Sequence, residues 1–288
     1  MEIEIKGHSG CQIDVVRDGR ELFVYKSSRN PKYLDRLVLQ AKKQQAAQDA
    51  GLQHIRIPRI HAINRTGDAV VVKMDYVYSR NFIEYFDNAG FEQIDYLVGA
   101  LTMFVDYEVS KSEMRTVPGK VVSDKFTDVK KKTLSSELLT SDPEVVDLIE
   151  RSEKVFKEFP SMEIPVGTCH GDLTFSNILF NGNNYYLIDF LDSFIESPLL
   201  DIVKLRQDTA WLWSPLMYIH PYDAIRLQIA FGKIDSALDE YFTKHYPWYG
   251  AYYSQLQLMN FLRILQYAND TKVIDYLKQT INAQLNTL

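Results

Sequence analysis

The 288-residue sequence predicts an α+β protein of two lobes, a small antiparallel sheet with one helix followed by a larger and mostly helical lobe. Two observations predict this division. Segments with strand-like alternation or β-branched residues lie before about residue 80, whereas later segments carry apolar residues mainly at helical spacing. We therefore place the boundary near Tyr78 to Asn81 and expect an N-terminal lobe over residues 1–79 and a C-terminal lobe over residues 80–288.

The first lobe is predicted to run in the order β-β-β-α-β-β. Its first three strands come from EIEIKG, CQIDVVRDG and RELFVYKSS, which are separated by Gly-containing turns. A helix over roughly residues 32–50 follows, with Pro31 at its start and Gly51 at its end. The segments HIRIPRIHAINR and DAVVVKMDYVYS then return to strand patterning.

The second lobe begins with the helical segments NFIEYF and FEQIDYLVGALTMFVDYEVSK. Residues 112–135 mix Gly, Pro and charge without a clear period, so a loop is predicted there. A helix from about Pro143 to Phe159 leads to a hairpin of two short strands, NILF and YYLIDF, joined by NGNN. Residues 197–288 are predicted to be helical.

The amino-acid composition and net charge limit the kinds of molecule that the protein is expected to bind. The net charge is -6 and the pI about 5.6, which argues against non-specific binding to nucleic acid or to anionic membranes. We find no signal-peptide pattern and no apolar run of about 18 residues, so a cytoplasmic protein without a transmembrane segment is expected. Cys11 and Cys169 lack metal-ligand spacing and are predicted to be reduced thiols.

The chemistry is concentrated in CHGDLTFSNILF, from Cys169 to Phe180, and LIDFLDS, from Leu187 to Ser193. Asp172 precedes the predicted hairpin, Asn177 begins it and Asp189 lies on the returning strand. Because apolar neighbours would hold this hairpin in the core, the three oxygen-bearing side chains are expected to face a common point. Such ligands suit Mg²⁺.

We assign roles from this arrangement. Asn177 and Asp189 are the candidate metal ligands, and Asp172 is the candidate base that accepts the proton of an attacking hydroxyl. His170 is expected to support the loop without titrating.

The sequence resembles the aminoglycoside phosphotransferase and choline kinase superfamily, small-molecule relatives of the protein kinases. HGDLTFSN, residues 170–177, and IDF, residues 188–190, carry the resemblance. It implies a protein-kinase-like fold, ATP and Mg²⁺ as cofactors, and a buried aspartate at a helix start, which falls on Asp201. Gly171 stands where typical protein kinases have an arginine that responds to activation-loop phosphorylation, and the segment after Phe190 is short, so regulation by such phosphorylation is not expected. The short segment also disfavours a protein substrate.

The resemblance also implies a nucleotide site in the first lobe. Lys26 would reach the α and β phosphates, and the connector KMDYVYS would serve as the hinge to adenine. The loop KGHSGC would cover the phosphates with backbone N–H groups. The residues expected to bind the nucleotide are Gly7, His8, Ser9, Gly10, Lys26, Met74, Asp75 and Val77.

The sequence departs from the family at the helix after Lys26, which normally supplies a glutamate to pair with that lysine. Residues 31–50 contain only Asp35 and Asp49 as acids. A glutamine, among Gln40, Gln44 and Gln45, is the candidate replacement, with less charge complementarity than a carboxylate.

The expected acceptor is a small molecule with a hydroxyl group, bound between the catalytic loop and the C-terminal helices. Tryptophans with acids would suit a cation such as choline, whereas an arginine with tyrosine-rich segments would suit a sugar. Each candidate also has a purely structural interpretation, as core packing or an ion pair. The candidates are Asp192, Glu196, Asp208, Trp211, Trp213 and Arg263.

The function predicted from sequence is ATP-dependent phosphorylation of a sugar or amino alcohol, in surface-polysaccharide or envelope metabolism. A nucleotide-binding pseudokinase or scaffold is the alternative, motivated by the missing helix glutamate. Antibiotic phosphorylation of the aminoglycoside type ranks lower, because the C-terminal half shows no conspicuous acidic cluster for a polycationic drug.

Overall fold

The structure, a computed structural model, describes residues 11–48 and 50–288. Their contacts group into two compact units. The first is built from the described residues up to Tyr107, from His170–Ser193 and from Pro221–Ala230; the second contains Glu108–Cys169, Phe194–His220 and Phe231–Leu288.

The described residues up to Ser110 form five strands and three helices. In chain order they are β1 (Gln12–Asp18), β2 (Glu21–Ser28), α1 (Leu34–Ala47), β3 (Ile55–Arg56), β4 (Ile60–Thr66), β5 (Ala69–Asp75), α2 (Phe82–Phe86) and α3 (Phe91–Ser110). Four of the strands form an antiparallel sheet in the order β1-β2-β5-β4. The apolar face of α1, with Leu37 and Ala41, packs against Val70 and Val72 of this sheet.

The remaining elements are mostly helices. In chain order they are β6 (Glu113–Val117), α4 (Gly119–Leu134), α5 (Glu137–Thr140), α6 (Pro143–Phe156), β7 (Met162–Val166), a 3-10 turn (Phe175–Asn177), β8 (Ile178–Asn181), β9 (Asn184–Leu187), α7 (Pro198–Thr209), α8 (Trp213–Leu216), α9 (Ala224–His245), α10 (Pro247–Leu265) and α11 (Thr271–Leu285). None of the described helices is long and apolar enough to cross a membrane.

The predicted α+β class is confirmed, as are the hairpin β8–β9 and the helices after residue 197. The first predicted strand, EIEIKG, lies outside the described residues. The segment HIRIPRIHAINR forms two strands instead of one, because Pro58 cannot donate to a sheet ladder and interrupts it. Its first part, β3, leaves the N-terminal sheet and pairs in parallel with β9.

The predicted loop over residues 112–135 is wrong. This segment forms β6, which pairs antiparallel with β7, and the helix α4. The buried apolar face of α4 is narrow, with Val122, Phe126 and Val129 spaced by four and three residues. Charged residues between them hide the period, and they stabilise the helix through pairs one turn apart, such as Lys132 with Asp128 at 2.8 Å.

Candidate active site

The hairpin β8–β9 and the loop before it position Asp172, Asn177 and Asp189. Ile178, Phe180, Tyr185 and Leu187 are almost completely buried, so they anchor both strands in the core of the first unit. The loop with Asp172 precedes the hairpin. Asn177 ends the 3-10 turn, and Asp189 follows β9 by two residues.

Two pairs of side chains bring the predicted catalytic groups together. Asn177 Nδ2 donates to the main-chain oxygen of Asp172 at 2.8 Å and to its Oδ2 at 2.9 Å. Lys26 Nζ donates to Asp189 Oδ1 at 2.7 Å, across 163 positions of sequence. Burial alone would lower the pKa of Lys26, but the neighbouring Asp189 carboxylate outweighs it and raises that pKa, so the ammonium stays charged.

His170 supports the loop as a neutral side chain. It is completely buried, and burial lowers the pKa of the imidazole to about 4. Its Nε2 donates to the oxygen of Ile188 at 2.8 Å, and its Nδ1 accepts from the main-chain N–H of Asp172 at 3.2 Å. The histidine therefore ties the loop of Asp172 to the strand that leads into Asp189.

Gly171, next to His170, lies where the loop comes very close to the main chain of Leu191. Gly171 has φ +90°, and a Cβ there would lie 2.0 Å from the oxygen of Leu191. The main-chain N–H of Leu191 in turn donates to the oxygen of His170 at 2.9 Å. A side chain at position 171 would separate the loop from the segment after Asp189, so glycine is required here.

A cavity of about 790 Å³ in the first unit joins these groups to a largely apolar wall. Its lining combines apolar residues of β1, β2, β5 and the hairpin with Lys26, Asp172, Asn177 and Asp189. The full lining is Ile13, Val24, Lys26, Tyr33, Arg36, Pro58, Met74, Asp75, Tyr76, Val77, Ser79, Asp172, Ser176, Asn177, Leu179, Ile188, Asp189 and Leu191.

The predicted hinge residues Met74, Asp75 and Val77 all line this cavity. The carboxylate of Asp75 accepts from the main-chain N–H of Arg59 at 3.1 Å and from His61 Nε2 at 2.6 Å. The carboxylate is therefore bound to β4 and to the residue before it, which ties the end of β5 to that strand.

The donor chemistry of the site fits Mg²⁺. Asn177 and Asp189 offer amide and carboxylate oxygens on the same cavity wall. In the described part of the chain there is no group of three or more His, Cys, Asp or Glu residues that could form a complete protein cage. Magnesium typically takes one or two carboxylates and completes its shell with phosphate and water, so two oxygen ligands on the wall of an open cavity suit it.

The expected glutamine partner of Lys26 is not found among the hydrogen bonds of the described residues. Gln40 accepts from Tyr33 Oη at 2.9 Å and donates to Asp192 Oδ1 at 3.3 Å. Gln44 donates to the oxygen of Pro58 at 3.0 Å, and Gln45 is exposed. The carboxylate that pairs with Lys26 is that of Asp189.

The acceptor candidates fall into two groups. Asp192 belongs to the first unit, where Arg36 Nε donates to its Oδ1 at 2.7 Å. Partial burial would raise the pKa of Asp192, but the hydrogen bonds from Arg36 and Gln40 outweigh it and lower that pKa. Glu196 lies in the second unit, where its Oε2 accepts from Cys169 Sγ at 3.1 Å.

The second unit also holds Asp208 and the two tryptophans. Asp208 is completely buried, and its two oxygens accept from the N–H and the hydroxyl of Ser214, both at 2.9 Å. This geometry is that of a structural cap. Trp211 packs edge-on against Phe261, and Trp213 lies against Tyr276, with both indoles half-buried.

The other candidates are placed as follows. The guanidinium of Arg263 lies over the ring of Phe194, 5.1 Å from its centroid. Asp201 is completely buried in the first turn of α7, as the resemblance implies for a helix-start aspartate. The predicted phosphate loop, Gly7, His8, Ser9 and Gly10, lies outside the described residues.

Sequence reasoning missed several residues of the cavity. Strand alternation could have identified Leu179, because Ile178 and Phe180 on either side of it are buried in the core. Ile13 and Val24 could have been found in the same way, since they alternate with side chains on the other face of the sheet. Tyr33 and Arg36 carry no comparable signal in the sequence.

Comparison with known proteins confirms the resemblance. The phosphotransferase enzyme family matches residues 126–225, a stretch that contains Asp172, Asn177 and Asp189. No curated protein matches the sequence.

Solved structures with a similar fold span the whole chain. The GDP complex of wild-type aminoglycoside 2'-phosphotransferase-IIIa has a TM-score of 0.63 and 14% identity, covering 100% of this chain and 93% of the other. Amicoumacin kinase hAmiN in complex with AMP-PNP, Ca²⁺ and Ami has a TM-score of 0.56 and 12% identity, with coverage of 99% of this chain and 88% of the other. Spectinomycin phosphotransferase with ADP and spectinomycin has a TM-score of 0.53 and 14% identity, with coverage of 100% and 93%.

At these identities the likeness shows the fold, which is that of the aminoglycoside phosphotransferases and related kinases. Together with the family match, it supports a phosphotransferase of the kinase type.

Proposed function

We propose that this chain is an ATP-dependent phosphotransferase that phosphorylates a hydroxyl group of a small molecule. One observation carries the proposal. Lys26, Asp172, Asn177 and Asp189, which are spread over 163 sequence positions, lie on the wall of one cavity of about 790 Å³. Such a cation, base and pair of oxygen ligands are the parts that phosphoryl transfer requires.

The cavity suits a nucleotide. Its apolar side chains, among them Val24, Met74 and Leu179, would enclose a flat base, while the connector backbone from Asp75 to Val77 would bind the edge of the base. Lys26 would bind the phosphates. Nucleotides are present in the similar structures named above, as AMP-PNP, ADP and GDP.

We infer the reaction from the chemistry of these side chains. The acceptor oxygen forms a bond to the γ-phosphorus while the bond from that phosphorus to the diphosphate oxygen breaks, and Asp172 takes the proton of the acceptor hydroxyl. Asn177 orients the carboxylate of Asp172 by donating to its Oδ2 at 2.9 Å. Asn177 and Asp189 would hold Mg²⁺, which neutralises phosphate charge when it is bound. The chain itself contributes positioning and charge complementarity.

For the acceptor, we propose a sugar or an amino alcohol such as choline. The half-buried faces of Trp211 and Trp213 could pack on a sugar ring or on a quaternary ammonium group, and Glu196 could bind a cation. An antibiotic is a second candidate, because the similar structures include kinases of amicoumacin and spectinomycin.

The experiment is transfer of phosphate from ATP to a panel of choline, ethanolamine, sugars, amino acids and aminoglycosides, with and without Mg²⁺. The Asp172→Asn variant should lose turnover by about 10²- to 10⁴-fold while it still binds nucleotide. The matched control is Asp68→Asn, which makes the same change at an exposed turn of the first unit and should leave turnover unchanged.

A nucleotide-binding scaffold predicts a different result. Its wild-type form would bind nucleotide without phosphorylating any acceptor, and Asp172→Asn would not change its behaviour. A protein kinase would instead label a polypeptide. Equal turnover of the wild type and Asp172→Asn would contradict the assignment of the base.

A further inference from the structure

Helix α1 contacts the segment after Asp189 through three side chains. Arg36, Gln40 and Lys43 are spaced by four and three residues, so they lie on one face of the helix. Arg36 Nε donates to Asp192 Oδ1 at 2.7 Å, and Gln40 Nε2 donates to the same oxygen at 3.3 Å. Lys43 Nζ donates to the main-chain oxygen of Leu191 at 2.6 Å. We call these three contacts the α1 latch.

The latch is connected to the proposed catalytic groups through the main chain. Leu191, which accepts from Lys43, donates its own N–H to the oxygen of His170 at 2.9 Å. His170 in turn bonds Ile188 and the N–H of Asp172. Asp189 therefore lies between two residues, Ile188 and Leu191, that are both tied to the loop of the proposed base.

Asp189 needs such restraint. Its φ is +60°, a left-handed conformation that costs free energy for any residue with a Cβ. A residue in this conformation keeps it only where its surroundings hold it. Contacts on both sides of Asp189 provide that restraint, and on its C-terminal side α1 adds three of them to the hydrogen bond between Leu191 and His170.

We propose that the α1 latch positions Asp189, and through Leu191 the loop of Asp172, for phosphoryl transfer. Arg36, Gln40 and Lys43 are then positioning residues: helix α1 acts on the site through the segment 191–192, whereas Lys26 pairs directly with Asp189. This inference rests on the proposed function. It gives Asp192 a structural partner on α1 instead of a place in the acceptor site.

A direct role of Arg36 in binding phosphate is the competing explanation, since Arg36 also lines the nucleotide cavity. Reversing the charges at positions 36 and 192 distinguishes the latch from this explanation. A latch requires only that positions 36 and 192 carry opposite charges, whereas a phosphate ligand requires the cation at position 36 itself.

The experiment compares Arg36→Asp, Asp192→Arg and the variant with both changes. The side chains at these positions are 46% and 56% exposed, so the substitutions do not disturb the core. The control is Asp35→Asn, which removes an exposed ion pair to Arg65 from the neighbouring position of the same helix. Amide hydrogen exchange over residues 188–193 is measured without nucleotide, and Mg²⁺-dependent nucleotide affinity, kcat and KM are measured with it.

Each single charge reversal is expected to accelerate exchange over residues 188–193 and to lower kcat, both by about 10-fold, with a smaller change in the acceptor KM. The double variant should return both quantities to within about threefold of the wild type, because Gln40 can accept from an arginine at position 192 as well as donate to an aspartate. Asp35→Asn should match the wild type.

Two results would overturn the latch. One is a double variant as impaired as the single variants. The other is a loss of nucleotide affinity in Arg36→Asp together with a gain in Asp192→Arg, which identifies Arg36 as a phosphate ligand. A wild-type protein that binds no nucleotide would overturn the proposed function and the catalytic role of the latch together. The exchange rates need no turnover, so they distinguish that failure from a failure of the restraint.

Discussion

The substitution Gly171→Ala tests the contact between the loop of the proposed base and the segment after Asp189. Its new Cβ would lie 2.0 Å from the oxygen of Leu191, and real Cβ contacts essentially never fall below 3.0 Å. The two segments must therefore separate by at least about 1 Å, a displacement that can reduce catalysis by about 100-fold. The positive φ adds a cost of about 1–2 kcal/mol in folding.

Gly182→Ala is the matched control, because Gly182 also has a positive φ, +57°, but nothing lies within 4 Å of its added Cβ. It should cost only the conformational term of about 1–2 kcal/mol and leave turnover intact. Urea denaturation gives the free energy of unfolding of both variants, and phosphate transfer gives their activity. If Gly171→Ala matched Gly182→Ala in both measurements, the close approach of Gly171 and Leu191 would not matter for the site.

Two further predictions concern stability. Burial lowers the pKa of His170 to about 4 in the folded state, against an ordinary 6.5, so between these pH values the unfolded state binds one more proton at this imidazole than the folded state does. The free energy of unfolding is therefore unaffected by this group above about pH 6.5. It falls by about 3 kcal/mol as the pH decreases from 6.5 to 4. Urea denaturation across that range should show a flatter dependence for His170→Gln, and an equal slope would refute the assignment. Arg206, whose side chain is 11% exposed, donates to Asp235 at 2.9 and 2.7 Å, so Arg206→Met should lower the free energy of unfolding by about 3–5 kcal/mol. Arg115→Gln, which breaks an exposed pair with Glu113, should change it by less than about 1 kcal/mol, and equal losses in the two variants would contradict the role of burial.

The sequence predicts those residues of the candidate site that lie close to one another along the chain. Asp172, Asn177 and Asp189 lie just before or just after the strands of one short hairpin. The apolar residues of those strands hold the hairpin in the core, so the sequence predicts that the three polar side chains lie near one another. Lys26 could be added because the family resemblance implies a phosphate-binding lysine on the strand before the first helix, and Lys26 lies on that strand. These four residues line one cavity, and their roles stay a prediction.

Contacts made by the main chain or between distant elements could not be predicted in this way. Leu191 acts through its backbone N–H and oxygen, which every residue except proline offers, so its identity carries no signal. In the sequence, Arg36 cannot be distinguished from other exposed helix residues, because its ion pair with Asp192 is evident only from the structure. The strand β3 likewise pairs with β9, about 130 residues later, and nothing in its two residues specifies that partner.

Sequence-based prediction is also limited because it does not show which polar side chains are buried. Asp208 and Glu196 are both acids in the region predicted to bind the acceptor, yet Asp208 is completely buried and caps Ser214, whereas Glu196 is partly accessible. Composition and spacing do not distinguish an aspartate that satisfies backbone donors from one that faces a ligand. Only the packing around α7 and α8 separates them.

The double use of Leu191 has a consequence for protein engineering. Both of its backbone groups hold the framework, through His170 and Lys43, and the residue also lines the cavity that holds Lys26, Asp172 and Asp189 on its wall. The side chain can therefore be exchanged without removing either hydrogen bond, so long as proline is avoided. Position 191 is thus a suitable place to introduce a different shape or polarity into the cavity, and a library restricted to this residue would change ligand preference while leaving the surrounding hydrogen bonds in place.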